Sequence, residues 1–279
     1  MNYLNLGCGS RCHPDWINVD SRPSAPGVIA HDLREGIPFP DKQFDVVYHS
    51  HLLEHFTKKQ AIKFMKNCFQ VLKVGGIIRV VVPDLEIIVT DYLTALKGAR
   101  SGNEQWQQNY EWLMLELYDQ VVREAPGGTM LEYLSQNPIP NESYVLERMG
   151  EEARALIEEQ RISKTPRTMS GPIYSSFVPS LKKFRSKLYW WLLRRLLGES
   201  RYKALQIGLF RLHGEIHQWM YDEYSLTVLL EHSGFHNPMK TDALHSSVPN
   251  WKNFCLDSDP AGRAYKPDSL YVEASKAHK

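Results

Sequence analysis

Three short stretches near the N-terminus carry residue types suited to holding a nucleoside. The run NLGCGSR sets Gly7 and Gly9 one residue apart directly after an apolar segment. Without a Cβ, the backbone there can approach a ligand closely and take dihedrals that other residues avoid. INVD ends in Asp20, and a carboxylate at a strand end accepts both hydroxyls of a ribose. IAHDL carries Asp32 at the end of a third such run, within reach of a nucleobase amino group. A lone Gly-x-Gly is a common turn and a lone Asp a common loop cap. Three strand ends in register that carry all three point to one bound nucleoside. Cys8, Cys12 and His13 are metal-ligand types, but no second Cys or His pair completes the spacing. Small thiols packed at a tight turn is the favoured reading, and no metal site is expected.

Positioning these residues calls for an α/β arrangement. Tyr3–Leu6, Trp16–Val19, Val28–Ala30, Phe44–Tyr48 and Ile77–Val82 read as strands, the last a β-branched run suited to burial on both faces. TKKQAIKFMKNCFQVLKVGG reads as a helix capped by Thr57, with apolar Ile62, Met65, Phe69 and Leu72 and a stop at Gly75–Gly76. Asp84 caps a second helix that runs to about Lys97, where Gly98 is expected to stop it. Strands alternating with helices indicate a parallel sheet with right-handed crossovers. The first gap is anomalous: only six residues separate Gly9 from Trp16, too few for a crossover helix. One face of the early strands therefore needs cover from elsewhere, and residues 100–222 are the candidate. Residues 225–235 read as a further helix, and MKTDAL and SLYVEA as an antiparallel edge pair completing seven strands.

Composition is that of an ordinary globular chain: 279 residues, 43% hydrophobic, 23% charged, net charge +1. No global field draws it to nucleic acid. Four scattered cysteines exclude a disulfide framework. No leader and no apolar run of about 18 residues is evident, so a cytoplasmic location is expected. Charge is polarised within the central region. Residues 103–160 hold twelve acidic residues against three arginines, whereas 181–213 hold nine Lys or Arg and one Glu. These halves are expected to face each other, with the Ser/Pro/Thr-rich residues 163–180 as a loop or lid between them. LYWWLLRRLL is read as a helix packing its Trp and Leu onto the bare sheet. A membrane surface is the less favoured partner.

With LNLGCG, INVD, HDL, FDVVYHSHLLEH and LKVGGIIRVVVPD in that order, the chain resembles the class I S-adenosylmethionine-dependent methyltransferases. The likeness covers about residues 3–98 and resumes at 217–275. It implies a seven-stranded, mostly parallel Rossmann-like sheet (1–99 and 217–279) carrying a helical insertion or lid (100–216). It also implies S-adenosyl-L-methionine as cofactor. Leu6, Gly7, Cys8 and Gly9 would lie against its aminoacyl part, Asp20 at the ribose, Asp32 and Leu33 at the adenine, and His49 and Ser50 beside the methionine moiety. The chain departs from the family pattern at Asn5, where an acidic residue is usual, and in the missing helix after the glycine loop. A sulfonium cofactor has no pyrophosphate, so no helix N-terminus is needed to neutralise one.

Methyl transfer requires in-line alignment and exclusion of water, and a hydroxyl acceptor also needs a base. His51 is the first candidate for that base and His217 the second. His55 and Glu54 are expected to orient the loop. Neither a Pro-Pro-aromatic motif for base amines nor a Pro-Cys nucleophile is present. Elimination leaves O-methylation of a small-molecule or saccharide-like acceptor, ahead of N-methylation. Another user of this cofactor fold, such as an aminopropyl transferase, and a non-catalytic cofactor-binding module are the remaining alternatives. The sequence leaves open whether the chain pairs as a homodimer.

Overall fold

A computed structural model of the chain describes the backbone of residues 1–164 and 181–277. It contains seven strands: β1 (Tyr3–Leu6), β2 (Trp16–Asp20), β3 (Ile29–Ala30), β4 (Phe44–Ser50), β5 (Leu72–Pro83), β6 (His236–Thr241) and β7 (Ser269–Ser275). They form one sheet in the order β3-β2-β1-β4-β5-β7-β6. Only the β7 pairings are antiparallel, so the last two strands make the expected edge pair. No helix among the described residues is long and apolar enough to cross a membrane.

One sheet face is covered by α1 (Lys58–Val71) and α7 (Glu223–His232). Thr57 caps α1 in a reciprocal pair with Gln60, as a Thr-x-x-Gln sequence allows. The buried stripe of α1 is Ala61, Phe64, Met65, Cys68 and Val71, and Ile62 is exposed. The helix ends at Val71, before the expected Gly75–Gly76, because Leu72 is extended and fully buried as the first residue of β5.

The opposite face corrects the sequence-based expectation of its cover. Trp16 and Tyr48 pack there on Trp251 and Leu256, which come from the connection between β6 and β7. That connection includes the short helix α8 (Trp251–Phe254). Arg79, wholly buried on β5, pins it: the guanidinium donates to Asp257 and Glu273 and to the carbonyls of Asp242 and His245.

Between β5 and α7 the chain forms α2 (Leu85–Arg100), α3 (Glu104–Val122), α4 (Gly128–Leu134), α5 (Glu142–Lys164, broken at Gly150) and α6 (Leu181–Leu212, broken at Gly198). Asp84 caps α2 through Glu86 and Ile87. Gly98 lies inside α2 and does not stop it. Its role is close approach, since a Cβ there would fall 2.3 Å from Trp106 Cγ of α3. α3, α4 and α5 share their own core around Trp112, Tyr133, Val145 and Ile157. Arg148 ties this unit to the rest by pairing bidentately with buried Glu116 and reaching Asp91 on α2.

The Trp and Leu of α6 do not pack on the sheet. Trp191, Leu192 and Leu196 are exposed, and Trp190 meets Tyr202 across the Gly198 break. Among the described residues, the charge complementarity between the two halves comes down to a Lys203–Glu124 contact at 3.9 Å. The expected lid at 163–180 lies almost wholly outside the described residues.

Candidate active site

Strand register brings the ends of four strands together. Leu6 pairs with Val19 and with His49, and Asp20 pairs with Ala30. Gly7, Asp20, Asp32 and Ser50 therefore emerge along one edge, where the strand order reverses between β1 and β4. Such a switch point opens a crevice at the carboxyl ends of the strands.

The glycine loop is tied down without a helix. Gly7 has φ +66°, and a Cβ there would stand 2.8 Å from Leu52 Cδ1. The Gly7 and Cys8 amides both donate to the Val19 carbonyl, at 2.8 and 3.2 Å. The Gly9 amide donates to Asp20 Oδ2 at 2.9 Å, and Arg22 N donates to Oδ1 at 2.8 Å. Asn5 is buried, and its amide donates to the Arg11 carbonyl at 2.9 Å and to Asn18 Oδ1 at 3.0 Å. A carboxylate at position 5 could accept but not make those donations. The departure at Asn5 thus closes the short loop.

Asp32 is gripped by the Arg34 fork at 2.6–3.0 Å, which holds its carboxyl below the usual range. Arg34 also donates to the Leu212 carbonyl at the end of α6. Leu33 is buried beside it. Gly7, Asp20, Asp32 and Leu33 line a cavity of about 100 Å³. Gly7, Cys8, Gly9, Ser50, His51 and Lys266 line an adjoining one of about 200 Å³. A third, of about 410 Å³, is lined by His51, Glu54, His55, His217, Lys266 and Asp268, with Glu116, Met130 and Met149 from the helical insertion.

Two of the expected contact residues point elsewhere. Leu6 is fully buried in the core. The His49 ring is fully buried on the α1 face, edge-on to Phe64 at 5.2 Å, and burial lowers its pKa to about 4. Cys8 is buried with its Sγ 3.6 Å from Cys12 Sγ, and burial pushes its thiol up to about 12.

The histidines converge on one carboxylate. His51, at φ +50°, sets Nδ1 3.3 Å from Glu54 Oε1, without hydrogen-bond alignment, and Nε2 2.9 Å from Ser269 Oγ. Burial lowers the His51 pKa and Lys266 adds to this, while Glu54 opposes it. The Glu54 side chain is fully buried, which by itself would raise its pKa. His51, then His55 and His217, more than reverse this and hold the carboxyl well below its ordinary range. His217 is buried, which lowers its pKa to about 3 against the pull of Glu54. Its ring meets that of His55 edge to face at 5.0 Å.

Lys266, Asp268 and Ser269 escape a reading of the sequence, because they follow the site's first elements by more than 200 residues and no local pattern announces them. Glu54 is legible only as part of LLEH; its complete burial is a tertiary fact.

Residues 15–80 match the family model of a methyltransferase domain. That match spans β2 to most of β5 and leaves β1 and the glycine loop outside it. This segment of the chain is therefore similar to a methyltransferase domain. The chain's fold is a seven-stranded, mostly parallel Rossmann-like sheet, and the methyltransferase-domain match implies S-adenosyl-L-methionine as the cofactor. Gly7, Asp20 and Asp32 share the lining of one cavity. No curated protein matches the chain. Similar solved structures include a SAM-dependent methyltransferase from Archaeoglobus fulgidus, at 13% identity and a TM-score of 0.40, covering 99% of this chain and 86% of that one. Another is a Haloferax volcanii complex between the Trm112 methyltransferase activator and a methyltransferase, at 11% identity and 0.39, covering 99% and 83%.

Proposed function

We propose that the chain is an S-adenosylmethionine-dependent methyltransferase that methylates a hydroxyl oxygen of a small or saccharide-like acceptor, with His51 as the base. One observation carries the reading: His51 lines both the glycine-loop cavity and the larger pocket beneath the helical insertion. A base must reach the acceptor's proton while the acceptor oxygen faces the methyl group, so it belongs where the two cavities adjoin. His217 lines only the larger pocket, so His51 is preferred.

The bound cofactor supplies an electrophilic methyl group on a cationic sulfur. The chain does the rest. Gly7 and Gly9 leave backbone exposed where the donor would sit, and Asp20 offers a carboxylate already oriented by the Gly9 and Arg22 amides. His51 is neutral near pH 7 because burial lowers its pKa. Its Nε2 accepts from the Ser269 hydroxyl and exchanges that partner for the acceptor hydroxyl. The helical insertion supplies apolar Met130 and Met149 to the pocket, which helps exclude water during transfer. The pocket combines charged and polar side chains with apolar Met130 and Met149, as a hydroxylated small molecule needs.

The test is a panel of saccharides and hydroxylated metabolites incubated with S-adenosylmethionine. The expected outcome is formation of S-adenosylhomocysteine together with an acceptor heavier by one methylene. Methylation confined to amines would overturn the oxygen assignment.

A further inference from the structure

We propose that Glu54, His55 and His217 form a binding site for one divalent transition-metal ion on the wall of the acceptor pocket. Each side chain offers one ligand atom, and the three atoms lie within 4.8 Å of one another. An ion about 2.0–2.2 Å from each requires donors about 3–4 Å apart, a gap that small side-chain rotations close. Two imidazoles and one carboxylate suit zinc, iron, manganese or cobalt, whereas calcium and magnesium prefer oxygen ligands.

Glu54 supplies an independent reason. Its side chain is fully buried, and neither carboxylate oxygen has a hydrogen-bond partner among the described residues. A carboxylate taken out of water is stable only when paired or when it coordinates a metal. A dication beside Oε2 would satisfy that need while Oε1 keeps facing His51.

The histidine geometry agrees. His55 Nδ1 lies 3.1 Å from the Ile216 carbonyl. A carbonyl can only accept, so Nδ1 carries the hydrogen and Nε2 keeps its lone pair. Metal-binding histidines are oriented by this kind of outer hydrogen bond. The two ligand-bearing segments are also stitched together. The Gln218 and Trp219 amides both donate to the Glu54 carbonyl, at 2.7 and 3.2 Å, and the His217 amide donates to the Gln120 carbonyl at 2.9 Å. The site is thus held by backbone before any ion arrives.

All three residues line the 410 Å³ pocket, so an ion there keeps coordination positions open, as catalytic rather than structural sites do. Its role rests on the methyl-transfer reading. An acceptor hydroxyl ligated to the ion loses its proton to His51 Nε2 more readily. The oxygen lone pair then forms the bond to the methyl carbon, while the carbon–sulfur bond breaks and its electrons return to sulfur as a neutral thioether.

The experiment uses the full chain, stripped with a chelator and dialysed. Zn²⁺ is titrated by calorimetry and Co²⁺ by visible absorption, both without cofactor. The expected result is one ion per chain, a higher melting temperature with Zn²⁺, and a Co²⁺ spectrum without a thiolate charge-transfer band. His55→Gln and His217→Gln each weaken Zn²⁺ binding at least about tenfold, whereas Cys12→Ser leaves it intact. No binding to the wild type, a thiolate band, or undiminished binding in His55→Gln overturns the proposal. His55 is half-buried, so its variant decides the matter even where His217→Gln fails to fold. S-adenosylhomocysteine is titrated into the same preparations. Its binding without Zn²⁺ binding overturns the metal site alone, and the converse overturns the methyltransferase reading alone.

Discussion

At the scale of single residues, the site is built from groups whose neighbours fix both their geometry and their protonation. His51 touches Glu54 on one side and Ser269 on the other, and it borders both cavities. His51→Gln should lower kcat by about 10²–10⁴-fold, the usual worth of a general base. S-adenosylhomocysteine affinity, measured by calorimetry, should stay unchanged. Gly7→Ala should do the reverse, because it strains a backbone at φ +66° and drives a methyl toward Leu52. Such strain costs on the order of 1–3 kcal/mol, so the same titration should show cofactor affinity reduced about tenfold or more. Gly7, Asp20 and Asp32 were legible in the sequence because each lies at or just past a strand end, and strand ends of a parallel sheet lie side by side. His49 shows where that logic stops. Alternation along β4 sends its ring into the α1 core, one residue before the chain turns into the site.

At the scale of elements, the helix signals read well where a cap is local chemistry, as at Thr57 and Asp84. They failed where a neighbouring element decides. Gly98 looks like a stop but is the point at which α2 and α3 touch. The acidic excess of 103–160 suggested a partner in the basic stretch, yet buried Glu116 pairs within the insertion to Arg148. Arg148→Ala should destabilise the fold by about 3–5 kcal/mol in chemical denaturation, since it strands the Glu116 charge away from water. The double variant Arg148→Met with Glu116→Leu should recover most of that loss, because the pair's desolvation penalty disappears with its charges.

At the scale of the molecule, the carboxyl end of the sheet, the insertion and the β6–β7 connection meet around a pocket that holds several carboxyl groups. Burial pushes the Asp268 carboxyl up to about 7, and the Glu116 charge adds to this. A carboxyl whose folded-state pKa is raised keeps its proton longer in the native state. Its stabilising contribution is full below about pH 4 and is lost as pH rises through 7. Asp268→Asn should therefore raise the melting temperature at pH 8 by roughly 2–4 °C for each kcal/mol relieved, less at pH 5, and little at pH 4 or below. A variant equally stabilised at pH 8 and pH 4 would show that Asp268 is already ionised at the lower one.

The sequence by itself determined the side-by-side strand ends, the glycine bend, the carboxylates Asp20 and Asp32 at those ends and the caps at Thr57 and Asp84. These depend on residues close in the chain or on the fixed geometry of a parallel sheet. Only the tertiary structure decided what covers the second sheet face, how Glu54 is buried, and which distant side chains join it. Trp251, Lys266 and His217 reach their places because buried apolar area and strand pairing outweigh loop entropy over some 160 to 250 residues, and that entropy grows only slowly with loop length. No periodicity in a chain records where its remote segments will meet.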